Sequence, residues 1–190
     1  MEVMTDEEVV RKVQGGDIES FGILVERYET KLKRYARKFL MGKDDTDDLV
    51  QDVFLHTYEN IQSMDTSRKF SPWIYRIAHN TFVNAIRKRE NSRRVYLDFD
   101  TILPSLRSDH ATDDDVIRKE EKELVEKTLK KIGEKYREVL VLYYIEELSY
   151  EEIADILGIP IATVGVRLRR GKENAKKIIT EIDHTFTRES

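Results

Sequence analysis

The chain has 190 residues, 39% of them hydrophobic and 37% charged, with a formal net charge of −4 at pH 7. No apolar run approaches the roughly 20 residues that one membrane span needs, and Met1 to Arg11 is acidic and polar where a signal peptide would be apolar, so a cytoplasmic protein without membrane insertion is expected. The absence of cysteine excludes a disulfide scaffold, thiolate catalysis and thiolate-held zinc.

Eight Gly and three Pro leave the chain rich in helix formers. Thr5 and Glu8 have the spacing of a capping box, opening a helix through Val9, Val10 and Val13 that Gly15 and Gly16 end. Phe21, Leu24, Val25, Tyr28, Leu32 and Tyr35 form a 3.6-period stripe on a long helix expected to reach about Leu40 and stop at Gly42. Its basic end, Lys31 to Lys43, suits the negative pole of a helix dipole. The acids Asp44, Asp45, Asp47 and Asp48 then precede Leu49, Val50, Val53, Phe54, Tyr58 and Ile61, the pattern of a helix start. They do not make a calcium loop: Leu49 and Leu55 stand where an EF-hand has Gly and Glu.

Between Arg68 and Arg94, Glu90 is the only acid among nine charged residues. A helix from Phe70 to Arg89 is predicted, with Ser71 as N-cap and Pro72 in its first position. Phe70, Ile74, Ile77, Ala78 and Ala85 share one face. Trp73, Arg76, Asn80, Asn84 and Arg87 share another. An aromatic platform, amides and guanidinium groups on one stripe suit unpaired bases and phosphates. On spacing alone, Trp73 and Tyr75 as core residues remains an equal reading. His79 has no metal ligand at helical spacing, and neither a metal nor a cofactor is expected.

From Asn91 to Val116 the apolar period is lost and Asp98, Asp100, Asp109, Asp113, Asp114 and Asp115 accumulate. Helix resumes near Ile117, with Gly133 separating two helices. No segment alternates with period two. The expected fold is therefore all-α: two small helical domains, 1–92 and 117–184, each with its own core, joined by a flexible acidic linker over 93–116.

The strongest local signal runs from Leu148 to Lys177. Ser149 and Glu152 form a second capping box, Ala154 permits a close helix crossing, Gly158 supplies the turn and Thr163 caps the next helix, where Val164 pins it to the first. On that helix Val164, Leu168, Gly171, Ala175, Ile178 and Ile179 share the core face, opposite Val166, Arg169, Arg170, Glu173 and Lys177. Turn, cap and sorted faces together point to a DNA-binding helix-turn-helix.

Residues 47–61, 69–88 and 148–172 together resemble the extracytoplasmic-function (ECF, group 4) type of bacterial RNA polymerase sigma factor, in the sigma-70 family. The resemblance implies a promoter-specificity subunit and not an enzyme, with core RNA polymerase and promoter DNA as partners and an anti-sigma factor as a regulator. It implies polymerase docking through Asp47, Asp48, Gln51, Asp52, Phe54 and Tyr58. For the −10 element it implies Met64, Lys69, Phe70, Trp73, Tyr75, Arg76, Asn80, Asn84, Arg87 and Lys88, and for −35 Thr163, Val166, Arg167, Arg169, Arg170 and Lys172. It also likens the acidic linker to a segment threaded through the polymerase's RNA path. Two departures stand out: Gly165 and Val166 replace the cationic and hydroxyl residues frequent after Thr-Val in this family, and Met64 replaces a frequent aromatic. A net-negative chain with basic DNA faces should bind promoter DNA mainly after core polymerase has separated and aligned its domains. An ordinary dimeric helix-turn-helix regulator would explain 148–177 equally well, but leaves the Trp73 stripe unexplained. An enzyme has little support without a phosphate loop or a nucleophile–base setting.

Overall fold

The structure, a computed structural model, describes residues 4–41, 46–95 and 113–186, with side chains as far as residue 88 and again from 122 to 182. Among the described residues it is entirely helical. The helices are α1 (Asp6–Gln14), α2 (Phe21–Leu40), α3 (Thr46–Asn60), α4 (Phe70–Val95), α5 (Asp113–Lys131), α6 (Glu134–Tyr144), α7 (Tyr150–Leu157) and α8 (Ile161–Phe186), with short 3₁₀ turns before α2 and after α3. Helix runs into both ends of the segment expected to be linker, since α4 reaches Val95 and α5 starts at Asp113. Residues 96–112 and the expected stop at Gly42 lie outside the described residues.

Local chemistry explains most boundaries. Both capping boxes form, Thr5 with Glu8 and Ser149 with Glu152. Gly158 takes the left-handed conformation (φ 62°) that ends α7. Met41, a non-glycine at φ 59°, does the same for α2. Two expected caps differ. Helix α4 begins at Phe70, one residue before the expected cap Ser71, and Glu7 of α1 accepts the Phe70 N–H at 2.9 Å. Helix α8 begins at Ile161, with the Pro160 carbonyl accepting from the amides of Thr163 and Val164, so Thr163 lies within the first turn.

The N-terminal domain packs α1–α4 around Val10, Leu24, Leu32, Tyr35, Phe39, Val53, Ile74 and Phe82, all fully buried. Tyr35 lies against the rings of Phe39, Tyr75 and Phe82 at 5.3–5.7 Å. The C-terminal domain buries Val139, Leu142, Ile153, Ile156, Val164 and Leu168.

Two separate cores were expected; one continuous apolar cluster runs through both domains. The reason is α6. Every residue from Arg137 to Leu142 is buried, which a helix on the rim of a bundle cannot achieve. Helix α6 lies between α8 and the N-terminal domain's α2, while α7 lies along α4. The two domains are thus folded onto one another.

Candidate polymerase and nucleic-acid interfaces

Helix α3 presents the expected docking face. Asp48, Gln51 and Asp52 are exposed and Tyr58 is 40% exposed. Asp47 is held 3.3 Å from Lys33 of α2. Phe54 is half-buried and, with Tyr58, meets Phe21 edge-on at 6.5 and 5.2 Å; it supports the face from beneath. Leu55, 60% exposed on the same side, is a further candidate that the sequence reading did not include. An exposed leucine on one helix face among acids is the signal that could have found it.

The residues expected at −10 separate into three groups. Phe70 and Tyr75 are core residues, 0% and 2% exposed, and cannot contact DNA from these positions. Tyr75 lies some 200° around the helix from Trp73, and Phe70 is pinned between Tyr28 and Trp73. A second group, Met64, Lys69, Trp73 and Arg76, lines one small cavity with Arg68 and Asp65. Met64 forms its inner wall at 4% exposure. The loop carrying it is fixed by Gln14 of α1, whose side-chain amide donates to the carbonyls of Ile61 and Met64 at 2.8 and 2.9 Å. The third group, Asn80, Asn84 and Lys88, lies in a separate groove of about 460 Å³ between α3 and α4, which His56, Asn60 and Thr81 also line. Arg87 is exposed.

The cavity holding Trp73 is also lined by a residue of the other domain, Asp155 of α7. Arg76 and Arg68 approach its carboxylate at 3.3 and 3.4 Å, and Lys69 pairs with Glu152 at 2.9 Å. Burial opposes ionisation of Glu152, but the Ser149 amide and Lys69 outweigh it and hold its pKa below the ordinary 4.5.

The same polarity runs along the seam. Glu146 accepts both Nε and Nη2 of Arg34 at 2.9 and 2.8 Å and the Tyr75 hydroxyl at 2.6 Å. Glu138 accepts the Tyr35 hydroxyl at 2.9 Å and meets His79 Nδ1 at 2.5 Å. Burial, followed by the charge of the facing glutamate, pushes the Tyr35 and Tyr75 hydroxyls far above their usual pKa, so both stay neutral donors. Lys38 pairs with Glu126 at 2.9 Å. In each of these contacts the C-terminal domain supplies the carboxylate and the N-terminal domain the donor or cation. His79 has a carboxylate partner 59 residues away, which helical spacing could not reveal.

The helix-turn-helix sorts as expected. Val164 and Leu168 are buried and Gly171 faces Leu140 of α6. Val166 is 42% exposed, and Arg169, Arg170 and Lys172 are exposed, with Thr163 and Arg167 partly covered. Arg169 reaches Glu173 one turn on at 3.7 Å. The Arg170 guanidinium beside Tyr136 favours the ionised phenol and lowers its pKa. Gly165 sits against Tyr150 with space for a methyl group. No helix of the described residues is long and apolar enough to cross a membrane.

Comparison with known proteins places these parts. Residues 24–92 match Sigma-70 region 2 and residues 122–174 match Sigma-70, region 4. The chain is 34% identical over 190 residues to the ECF RNA polymerase sigma factor SigW of Bacillus subtilis (strain 168), covering 96% of this chain and all of that one. Among solved structures, CnrH in complex with the cytosolic domain of CnrY superimposes with a TM-score of 0.69 at 27% identity, over 93% of this chain and 97% of that one. The fold is shared with the sigma factor RpoE of Bartonella quintana, solved with the anti-sigma factor NepR, at a TM-score of 0.65 and 22% identity over 85% of this chain and 98% of that one. With two sigma regions in order and a relative matched along its full length, the chain belongs to the sigma-70 family as an extracytoplasmic-function RNA polymerase sigma factor, a transcription factor that directs promoter-specific initiation.

Proposed function

We propose that this sigma factor docks on core RNA polymerase through Asp48, Gln51, Asp52, Leu55 and Tyr58 of α3, with Asp47 and Phe54 supporting that face. It reads the −35 element with the exposed side of α8. It opens −10 with Lys69, just before α4, and with Trp73, Arg76, Asn80, Asn84, Arg87 and Lys88 of α4, and Met64 backs the cavity beneath Trp73. Phe70 and Tyr75 shape α4 from the core. The chain works in the cytoplasm as a specificity subunit and not as a catalyst.

One observation carries the reading. Arg68, Lys69 and Arg76, at the start of the −10 region, are satisfied by carboxylates of α7, so they are groups placed to bind anions and need an anion when DNA is absent. Arginine and lysine beside an aromatic platform suit a strand whose bases stack and whose phosphates need neutralising. On α8, guanidinium groups can take guanine bidentately and Val166 can meet a thymine methyl. In the free chain Glu152 and Asp155 of α7 occupy the cations beside Trp73, so core polymerase would part the domains to free them for DNA. An anti-sigma factor, as in the RpoE complex, is the expected regulator.

The test is a pull-down with purified core RNA polymerase alongside transcription from a pool of promoter fragments. Stable capture and start sites absent with core alone support the proposal. Failure to bind core, together with dimeric binding to palindromic duplex, overturns it in favour of an ordinary regulator.

A further inference from the structure

Arg169 and Arg170 both stand on the exposed side of α8, but their surroundings differ. Arg169 reaches the Glu173 carboxylate at 3.7 Å. Arg170 lies instead beside the hydroxyl of Tyr136 on α6. The helix crossing explains that placement. A Cβ on Gly171 would stand 3.1 Å from the Leu140 side chain, so α6 and α8 cross closely at this point. Tyr136 lies one turn before Leu140 on α6, and Arg170 immediately precedes Gly171 on α8. The glycine crossing therefore brings the phenol to the edge of the reading face.

Tyr136 is itself held in place. It is half-buried, its ring stands against Gly133, and Lys135 Nζ lies 5.0 Å from the ring centroid. Arg170 first, and Lys135 after it, lower its pKa against the opposing effect of burial, as expected for an oxygen facing cations. A guanidinium carries five N–H donors in one fixed plane. One edge can rest on the phenolic oxygen while another keeps two parallel donors for guanine O6 and N7. A neutral phenol orients the group without cancelling its charge, whereas the Glu173 carboxylate offsets the charge of Arg169. An arginine oriented before it docks also loses less rotamer freedom on binding.

We infer that Tyr136 is a positioning residue for the −35 element, holding Arg170 so that Arg170, rather than Arg169, takes a guanine edge. The inference rests on the proposed reading of −35 by α8. It adds a specificity determinant that lies on α6, outside the helix-turn-helix.

The test is selection by the full-length chain, at low salt, from a duplex pool with a randomised central segment, followed by sequencing of the bound fraction. The wild type should enrich a site with guanine at one or more positions. Arg170→Ala should abolish one such preference. Tyr136→Phe keeps the ring and its packing and removes only the hydroxyl. It should reduce that same preference roughly two- to tenfold, the size of one neutral hydrogen bond, and leave the other positions as they are. In the Arg170→Ala background it should change nothing further at that position. Arg169→Ala should weaken binding but keep the guanine preference. A purely structural Tyr136 would weaken every position alike. That uniform loss, an unchanged preference in Tyr136→Phe, a selected site without guanine, or a guanine preference lost in Arg169→Ala and kept in Arg170→Ala each overturns the inference while leaving α8 as the reader. A wild type that enriches no sequence overturns the reading of −35 by α8 itself, and the inference with it.

Discussion

Glu146 offers the sharpest test of how the domains are held together. Its side chain is wholly inaccessible, while Arg34, which it binds through both oxygens, is 45% exposed. It also accepts the hydroxyl of Tyr75, a residue only 2% exposed. In Glu146→Ala the Tyr75 hydroxyl loses its partner while still buried, a cost of about 1–3 kcal/mol. The lost pairing with Arg34 adds only about 0–1 kcal/mol, because that guanidinium is half in water. In the open form both groups are hydrated and the substitution costs little. The closed form alone is penalised, by about 1–4 kcal/mol, so the closed-to-open ratio should fall roughly 5- to 700-fold. The chain has no cysteine, so Glu59→Cys on α3 and Lys176→Cys on α8, both exposed, can carry a donor and an acceptor dye. Energy transfer should drop in Glu146→Ala and hold in Glu151→Ala, an exposed acid that makes no interdomain ion pair. A folded Glu146→Ala chain with wild-type transfer would refute the claim that this cluster closes the molecule.

Three further outcomes follow from the same geometry. Glu152→Gln/Asp155→Asn should let the isolated chain bind a −10 single strand several-fold more tightly, since the competing carboxylates are gone, and the gain should shrink as salt screens the pairs; unchanged binding would mean that α7 does not mask the site. Glu126 and Glu152 have pKa values below the ordinary 4.5, so the stability they add is present above that value and lost as pH falls through their lowered values. Energy transfer should therefore be flat near neutrality and fall in acid, modestly because both groups are partly exposed; a fall that begins near neutrality would refute the assignment to these two carboxylates. Two glycines of α8 should respond with opposite signs: Gly165→Ala meets Tyr150 at an ordinary 3.6 Å and should gain up to about 1 kcal/mol, or about 2–4 °C in Tm, whereas Gly171→Ala meets Leu140 at 3.1 Å and should lose stability, and a calorimeter showing the same sign for both would refute the packing at one of them.

What the sequence disclosed was local. The capping boxes at Thr5 and Ser149 are satisfied by a residue three positions on, and Gly158 needs only its own backbone freedom, so each was legible without knowledge of the fold. The α8 faces were legible because one side meets a core and the other meets water. Angle alone would have removed Tyr75 from the −10 set, yet its neighbours Trp73 and Arg76 kept it there. The illegible part is the seam. Arg34 with Glu146, Tyr35 with Glu138 and Lys69 with Glu152 lie 112, 103 and 83 residues apart, and nothing periodic links such pairs. Helix α6 reads as an ordinary amphipathic helix until a second domain is laid on its outer face. The Met41 turn and the Glu7 cap on Phe70 likewise depend on neighbours that local patterning does not name.

The closed chain treats its two proposed DNA faces differently. Helix α7 turns Glu152 and Asp155 towards the cations beside Trp73, but it supports α8 from within, leaving Arg169 at 69% side-chain exposure and Val166 at 42%. Opening the domains should therefore matter greatly at −10 and little at −35. Arg170→Ala separates the two. A lost bidentate base contact costs about 1–3 kcal/mol, less whatever the Arg170–Tyr136 contact contributes in the free protein. The loss on a −35 duplex should be the same in the wild-type background and in the Glu146→Ala background, because the contact does not depend on closure. If Arg170→Ala weakens −35 binding only when the domains are open, the exposed face of α8 is masked in the closed chain after all, and the asymmetry between the two elements fails.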